Sequence, residues 1–171
     1  DMRYIKGVDV LLKALALVRR KRALTACVVG DGPDIEAFKK LAETLGLGTS
    51  VAFPGRLPTA QALKRGRLLV LPSRAESFPY VVLEAVAGRV PLIASDVGGI
   101  AEILPEKNLC PPDNPDALAR HIEMALAIPV VLAQDAKTLS ESARVAFDAE
   151  TMARNVTDFY QRLLAHKENR S

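Results

Sequence analysis

The stretch RLLVLPSRAESFPYVVLEAVAG, residues 67–88, decides how this chain is read. Its first part, LLVLP (68–72), is short, apolar and β-branched, the pattern of a buried strand. Pro79 then precedes a helical pattern over residues 80–88. The loop between them carries Ser73, Arg74, Glu76 and Ser77. Two carboxylates flank the helix start, Glu76 in the loop and Glu84 one turn inside the helix. Each has an ordinary explanation when taken singly. An acid near a helix start is favoured by the helix dipole, and a glutamate on a helix is usually solvated.

The same strand, loop and helix order recurs on both sides. LTACVVG (24–30), SVAFPG (50–55), VPLIAS (90–95) and NLCP (108–111) also read as strands. They are continuously apolar rather than alternating, which suits a parallel sheet covered on both faces. Helical patterns fall at residues 8–20, 34–46, 59–66, 80–88 and 115–127, then at 131–146 and 149–166. Met152, Val156, Phe159 and Leu163 form one face of the last of these. The order begins on a helix, so a leading strand is missing or survives as a stub in the first few residues. The sequence predicts an α/β fold, a doubly wound parallel sheet with a helical carboxyl-terminal tail from about residue 131. In PDNPD (112–116), Asn114 is placed to cap a helix that has Pro115 at its first position.

Composition narrows the function. The 171 residues suffice for one domain with a sizeable core, and 49% are hydrophobic. Trp is absent and aromatics are 5%, which argues against a stacking platform for single-stranded nucleic acid. A net charge of +3 does not imply nucleic-acid binding without a motif. Cys27 and Cys110 lie in apolar runs and suggest no disulfide framework, so a cytoplasmic location is expected. His121 and His166 lack the spacing and the companion ligands of a metal site. The basic run RRKR (19–22) fits cations at a helix carboxyl end, with anionic lipid as the rarer alternative.

Ligands of doubly wound sheets sit outside the carboxyl ends of the strands, so the loops after residues 30, 55, 72 and 95 matter most. In VVGDGPDIEAF (28–38), Gly30 and Gly32 supply G-x-G, but Ile35 stands where a third glycine belongs. The dinucleotide fingerprint therefore fails, and a plain strand-to-helix turn competes evenly with a nucleotide-lining role. Pro33 reads as a first-turn helix proline. In the 67–88 stretch, the main-chain N–H groups from Tyr80 to Leu83 offer a seat for an anion. Glu84 shares a face with Tyr80, and Glu76 lies on the other side of the seat. A ligand with a central diphosphate and a sugar at each end matches that layout.

Taken in order, KGVDVLLKALALV (6–18), VVGDGP (28–33), VAFPGRL (51–57), LPSRAESFPYVVLEA (71–85), PLIASDVGGIAEIL (91–104) and FYQRLL (159–164) carry a resemblance. The chain resembles the carboxyl-terminal, donor-binding domain of retaining GT-B-fold nucleotide-sugar glycosyltransferases of group 1, also called family 4. The resemblance implies that Lys6 contacts the donor diphosphate and that Glu76 touches hydroxyls of the transferred sugar; these are the expected catalytic residues. It implies that Glu84 holds the nucleotide ribose. Ser77, Phe78, Pro79, Tyr80 and Val81 would meet sugar and phosphate, largely through main-chain amides. Arg56 and Leu57 would sit beside the base, and Gly30 and Asp31 would line the same cleft. The resemblance implies no metal or other cofactor, a nucleotide-sugar donor, and a glycan or lipid-linked acceptor held by an amino-terminal domain outside this chain. It also implies peripheral contact with the inner membrane face, and self-association through Phe159 and Leu163 of a helix that otherwise crosses to the missing domain.

Two departures stand out. The family's arginine at the end of the first strand is expected upstream of Asp1, the chain being read as a fragment, with Arg3 as a substitute. After LEAVA the family commonly has a small residue, Gly, any residue, Pro, whereas this chain reads GRVP, with Arg89 where glycine is expected. The competing readings are a nucleotide-binding module without catalysis and another GT-B enzyme such as a nucleotide-sugar epimerase.

Overall fold

A computed structural model describes residues 2–77, 79–146, 151, 153, 154 and 157–159. Among these, strands β1 (Ala26–Cys27), β2 (Val51–Ala52), β3 (Leu69–Leu71), β4 (Leu92–Ser95) and β5 (Leu109–Cys110) alternate with helices. The helices are α1 (Val8–Arg19), α2 (Ile35–Thr44), α3 (Thr59–Leu63), α4 (Tyr80–Ala87), α5 (Pro115–Ala127) and α6 (Pro129–Ala146). All strand pairs are parallel, in the ladders β1–β2 and β3–β4–β5. The strands are shorter than the apolar runs that announce them. Pro54 and Pro72 have no N–H to donate and end the ladders early. Main-chain bonding still continues past β1, from Val28 N–H to the Ala52 carbonyl and from Gly30 N–H to that of Gly55, both at 2.9 Å.

β4 shows why helices cover both faces. All four of its residues are buried. Successive strand side chains point to opposite faces. Ile93 accordingly joins a core built with α1, α2 and α5, whereas Leu92 and Ala94 join a second core with Val82, Ala85 and Val86 of α4. Leu12 and Val18 anchor the first core and Ile100 the second, each with 0% of its surface exposed. Burying one such side chain contributes about 1.5–3 kcal/mol.

No leading strand, nor a strand stub, occurs among the described residues before α1. Residues Tyr4–Lys6 form a single 3₁₀ turn. Met2 is buried and bridges the loop after β1, its N–H donating to the Asp31 carbonyl at 2.9 Å and its carbonyl accepting from Asp34 N–H at 3.1 Å. Pro33 is not in the first turn of α2, which starts two residues later behind Asp34. Asn114 does cap α5, its Oδ1 accepting from Ala117 N–H at 2.9 Å with Pro115 opening the helix. The expected last helix, at 149–166, falls mostly outside the described residues. Of its stripe only Phe159 is described, and it is exposed.

α2 and α4 end with the same device. In α2, Leu47 N–H bonds the Ala42 carbonyl and Gly46 N–H bonds that of Glu43, with Gly46 left-handed at φ 70°. In α4, Val90 N–H bonds the Ala85 carbonyl and Arg89 N–H bonds that of Val86. Here the left-handed position is held by Arg89, at φ 56°. Both are Schellman endings, and glycine is the usual occupant because it has no Cβ to strain. The glycine of GRVP is one place early.

Candidate functional site

The four loops chosen from the sequence are joined into one edge. Gly30 N–H donates to the Gly55 carbonyl, which places Asp31 and Arg56 on adjoining loops. Met2 links Asp31 to the turn that carries Lys6. Lys6 in turn reaches Glu76 in the loop after β3. Its Nζ lies 2.9 Å from both Oε1 and Oε2. The Ser73 hydroxyl donates to Glu76 Oε1 at 2.7 Å. The Glu76 side chain is 12% exposed and that of Lys6 32%, so the pair lies at the edge of the protein but not out in bulk solvent.

The loop after β4 backs this pair. Gly98 has φ 55°, and a Cβ there would overlap the Glu76 main-chain oxygen. Gly7, next to Lys6, stands equally close to the Pro72 carbonyl. The main chain beside the lysine and the main chain of the glutamate are thus each fitted against another loop.

α4 opens behind Pro79, which is buried and supplies no side-chain cap. Its carbonyl already accepts from Val82 N–H at 2.9 Å and Leu83 N–H at 3.4 Å. Of the four amides expected to seat an anion, those of Val82 and Leu83 are therefore taken up in closing the first helical turn. Tyr80 and Glu84 are both exposed, one turn apart, as their spacing predicts. Among the described residues the Glu84 carboxylate has no hydrogen-bond or ion-pair partner. Asp31 Oδ1 accepts from Gly32 N–H at 2.8 Å and shapes the turn after β1. Arg56 and Ser77 are exposed, and Leu57 is half-buried. Phe78 lies outside the described residues.

Four contributors were given no role in the sequence reading: Ser73, Asp9, Arg74 and Gly98. Ser73 is buried, three residues before the glutamate it holds. Asp9 is a buried acid in the first turn of α1. Arg74 makes a two-pronged ion pair with it, Nη1 to Oδ1 at 2.8 Å and Nη2 to Oδ2 at 2.9 Å. Burial by itself would raise the Asp9 carboxyl. The Arg74 hydrogen bonds and charge, helped by Lys13, outweigh it and hold the group below its ordinary value. Asp9 in turn pushes the Arg74 guanidinium up, against its own burial. A carboxylate on the buried stripe of α1 is the one sequence signal that a cation must meet it. No group of three or more His, Cys, Asp or Glu that could hold a metal occurs among the described residues.

The basic run after α1 is partly taken up by the protein itself. Arg19 donates to the Gly46 carbonyl, and Lys21 pairs with Glu123 at 2.9 Å. No helix among the described residues is long and apolar enough to cross a membrane.

Ligands of parallel α/β domains bind outside the strand carboxyl ends, which is where the lysine–glutamate pair stands. The family model "Glycosyl transferases group 1" matches residues 1–146, and the chain belongs to that family. It is 33% identical over 131 residues to alpha-D-kanosaminyltransferase of Streptomyces kanamyceticus, covering 72% of this chain and 34% of the relative. Sucrose-phosphate synthase of Thermosynechococcus elongatus superposes with a TM-score of 0.79 at 29% identity, covering 96% of this chain and 44% of that one. HepE of Anabaena, solved with UDP-glucose, shares the fold with a TM-score of 0.82 at 24% identity, over 94% of this chain and 46% of that one. The matches span a third or less of the length of the curated relatives, from 34% down to 16%.

Proposed function

We propose that this chain is the donor-binding part of a retaining, metal-independent glycosyltransferase, which moves a sugar from a nucleoside diphosphate to a glycan or lipid-linked acceptor. The observation that carries the reading is the doubly bonded Lys6–Glu76 pair at the edge where the strand-end loops meet. A lysine ammonium has three N–H groups. Glu76 takes two, which leaves a third to point at a phosphate oxygen without breaking the pair.

When the sugar leaves its diphosphate, positive charge grows on the ring and negative charge on the departing phosphate. In this reading Lys6 and main-chain amides at the start of α4 stabilise the phosphate charge. Glu76, its negative charge held by Lys6 and Ser73, accepts hydrogen bonds from hydroxyls of the transferred sugar. The unpartnered Glu84 carboxylate accepts from the ribose. Gly30, Asp31, Arg56, Leu57 and Ser77 line the rest of the cleft, together with Pro79. Glu76 is a support for the oxocarbenium-like state and not a nucleophile, the reaction running on one face of the sugar. The acceptor site lies in a further domain, and the enzyme works in the cytoplasm, touching the inner membrane face.

The test is a saturation-transfer NMR screen of the chain against UDP, GDP and ADP. Binding of at least one is expected, with a loss of about tenfold or more on Glu84→Ala. If none binds, or if Glu84→Ala binds like the wild type, the donor cleft is wrongly assigned.

A further inference from the structure

Arg74 stands two residues before Glu76 and would, on position alone, be taken for a phosphate-binding arginine. Its geometry excludes that. A guanidinium has five N–H donors. Nε donates to Asp113 Oδ1 at 3.1 Å, and one Nη2 hydrogen goes to the same oxygen at 2.7 Å. The other Nη2 hydrogen and one from Nη1 go to Asp9. The last Nη1 hydrogen goes to the Tyr4 carbonyl at 2.7 Å. All five are used, and the guanidinium carbon also stands over the Tyr4 ring, 3.7 Å from its centre.

What these bonds hold is the approach to Lys6. The Tyr4 carbonyl is bound by the side chain of Arg74, and the Ile5 carbonyl by its main-chain N–H at 2.8 Å. These are the two residues immediately before Lys6. Asp9 fixes the other side, in the first turn of α1, and Asp113 ties in the turn before α5. One side chain, 13% exposed, therefore pins the segment carrying the lysine to the loop carrying the glutamate. A lysine at position 74 could not do this, since a point charge lacks the planar fork that meets two carboxylates and a carbonyl together.

We propose that Arg74 is a positioning residue of the donor site, which sets the Lys6 ammonium against Glu76 without touching the ligand. The proposal rests on the donor-cleft reading above for its ligand arm, but its geometric arm does not need a ligand.

The geometric arm follows the Lys6 ammonium by ¹H–¹⁵N NMR of the unliganded chain. A held ion pair keeps that signal sharp, and Glu76→Gln is the control that abolishes it. Arg74→Lys is expected to broaden or abolish it as well. The ligand arm measures the Kd of whichever of UDP, GDP or ADP binds the wild type. Arg74→Lys is expected to raise it on the order of tenfold, and to add nothing when Glu76→Gln is already present. A variant with a lower urea midpoint but an unchanged Lys6 signal overturns the proposal. So does a Kd loss that stays undiminished on the Glu76→Gln background, which would mean direct contact with the nucleotide. Should Arg74→Lys not fold, Asp113→Ala removes only the outer arm of the clamp. It is expected to weaken the Lys6 signal in the same direction, and an unchanged signal there sinks the idea. If no nucleotide binds the wild type, the donor-cleft reading fails while the Lys6 signal still decides this one.

Discussion

Replacing Arg89 by glycine should stabilise the chain, against the usual effect of adding a glycine. Arg89 sits at φ 56° in the Schellman ending of α4, and the matching position of α2 is Gly46 at φ 70°. A non-glycine residue in the left-handed region carries about 1–2 kcal/mol of strain. Against this, glycine loosens the unfolded chain and costs about 0.4–1 kcal/mol. The Arg89 side chain is exposed and makes no hydrogen bond or ion pair among the described residues, so little is lost with it. The net expectation is a gain of about 0.5–1 kcal/mol. For a chain of this size that is a rise in Tm of about 1–4 °C. Urea titration is the sharper assay, because a change in stability moves the midpoint and leaves the slope alone. Arg89→Ala separates backbone from side chain. It keeps the left-handed strain and should stay within about 0.5 kcal/mol of the wild type. If Arg89→Gly lowers the midpoint, or if Arg89→Ala gains as much as Arg89→Gly, the backbone argument is wrong. Nucleotide binding should be unchanged in both, since the ending lies at the far end of α4 from Tyr80 and Val81.

Other expectations follow from particular contacts. Gly98→Ala should cost nucleotide affinity by about a hundredfold, because the Glu76 main chain must move to admit the new carbon; isothermal calorimetry reads it, and wild-type affinity would refute the close packing. Asp9 has its folded carboxyl held below the ordinary value of 3.8 by Arg74 and Lys13 against the opposing effect of burial. Its contribution to stability is therefore present above about pH 4 and lost as pH falls through the lower folded value. Urea midpoints measured from pH 6 down to pH 2 should fall less steeply in Asp9→Asn than in the wild type, and an identical slope would count against the clamp. Asn114→Ala should destabilise by about 1 kcal/mol through loss of the α5 cap, measured by thermal melting.

The sequence alone determined the alternation of elements, because that alternation is written in local periodicity. Apolar runs bounded by Gly and Pro became β1 to β5, and amphipathic stretches became α1 to α6, with boundaries mostly within a residue or two. It also determined the cap at Asn114, a contact made three residues away along the chain. It singled out loops that the fold does bring together, since parallel topology forces all strand carboxyl ends to one edge. What only the tertiary structure decided were contacts between segments far apart in sequence. Lys6 and Glu76 are 70 positions apart, and Arg74 reaches 65 positions back to Asp9 and 39 forward to Asp113. No periodicity encodes such a pairing: even Asp9, whose place on the buried stripe of α1 calls for a cation, does not say which one. Which first-turn amides α4 uses for itself was hidden for a related reason. That depends on where Pro79 turns its carbonyl, and a backbone angle leaves no mark on residue type.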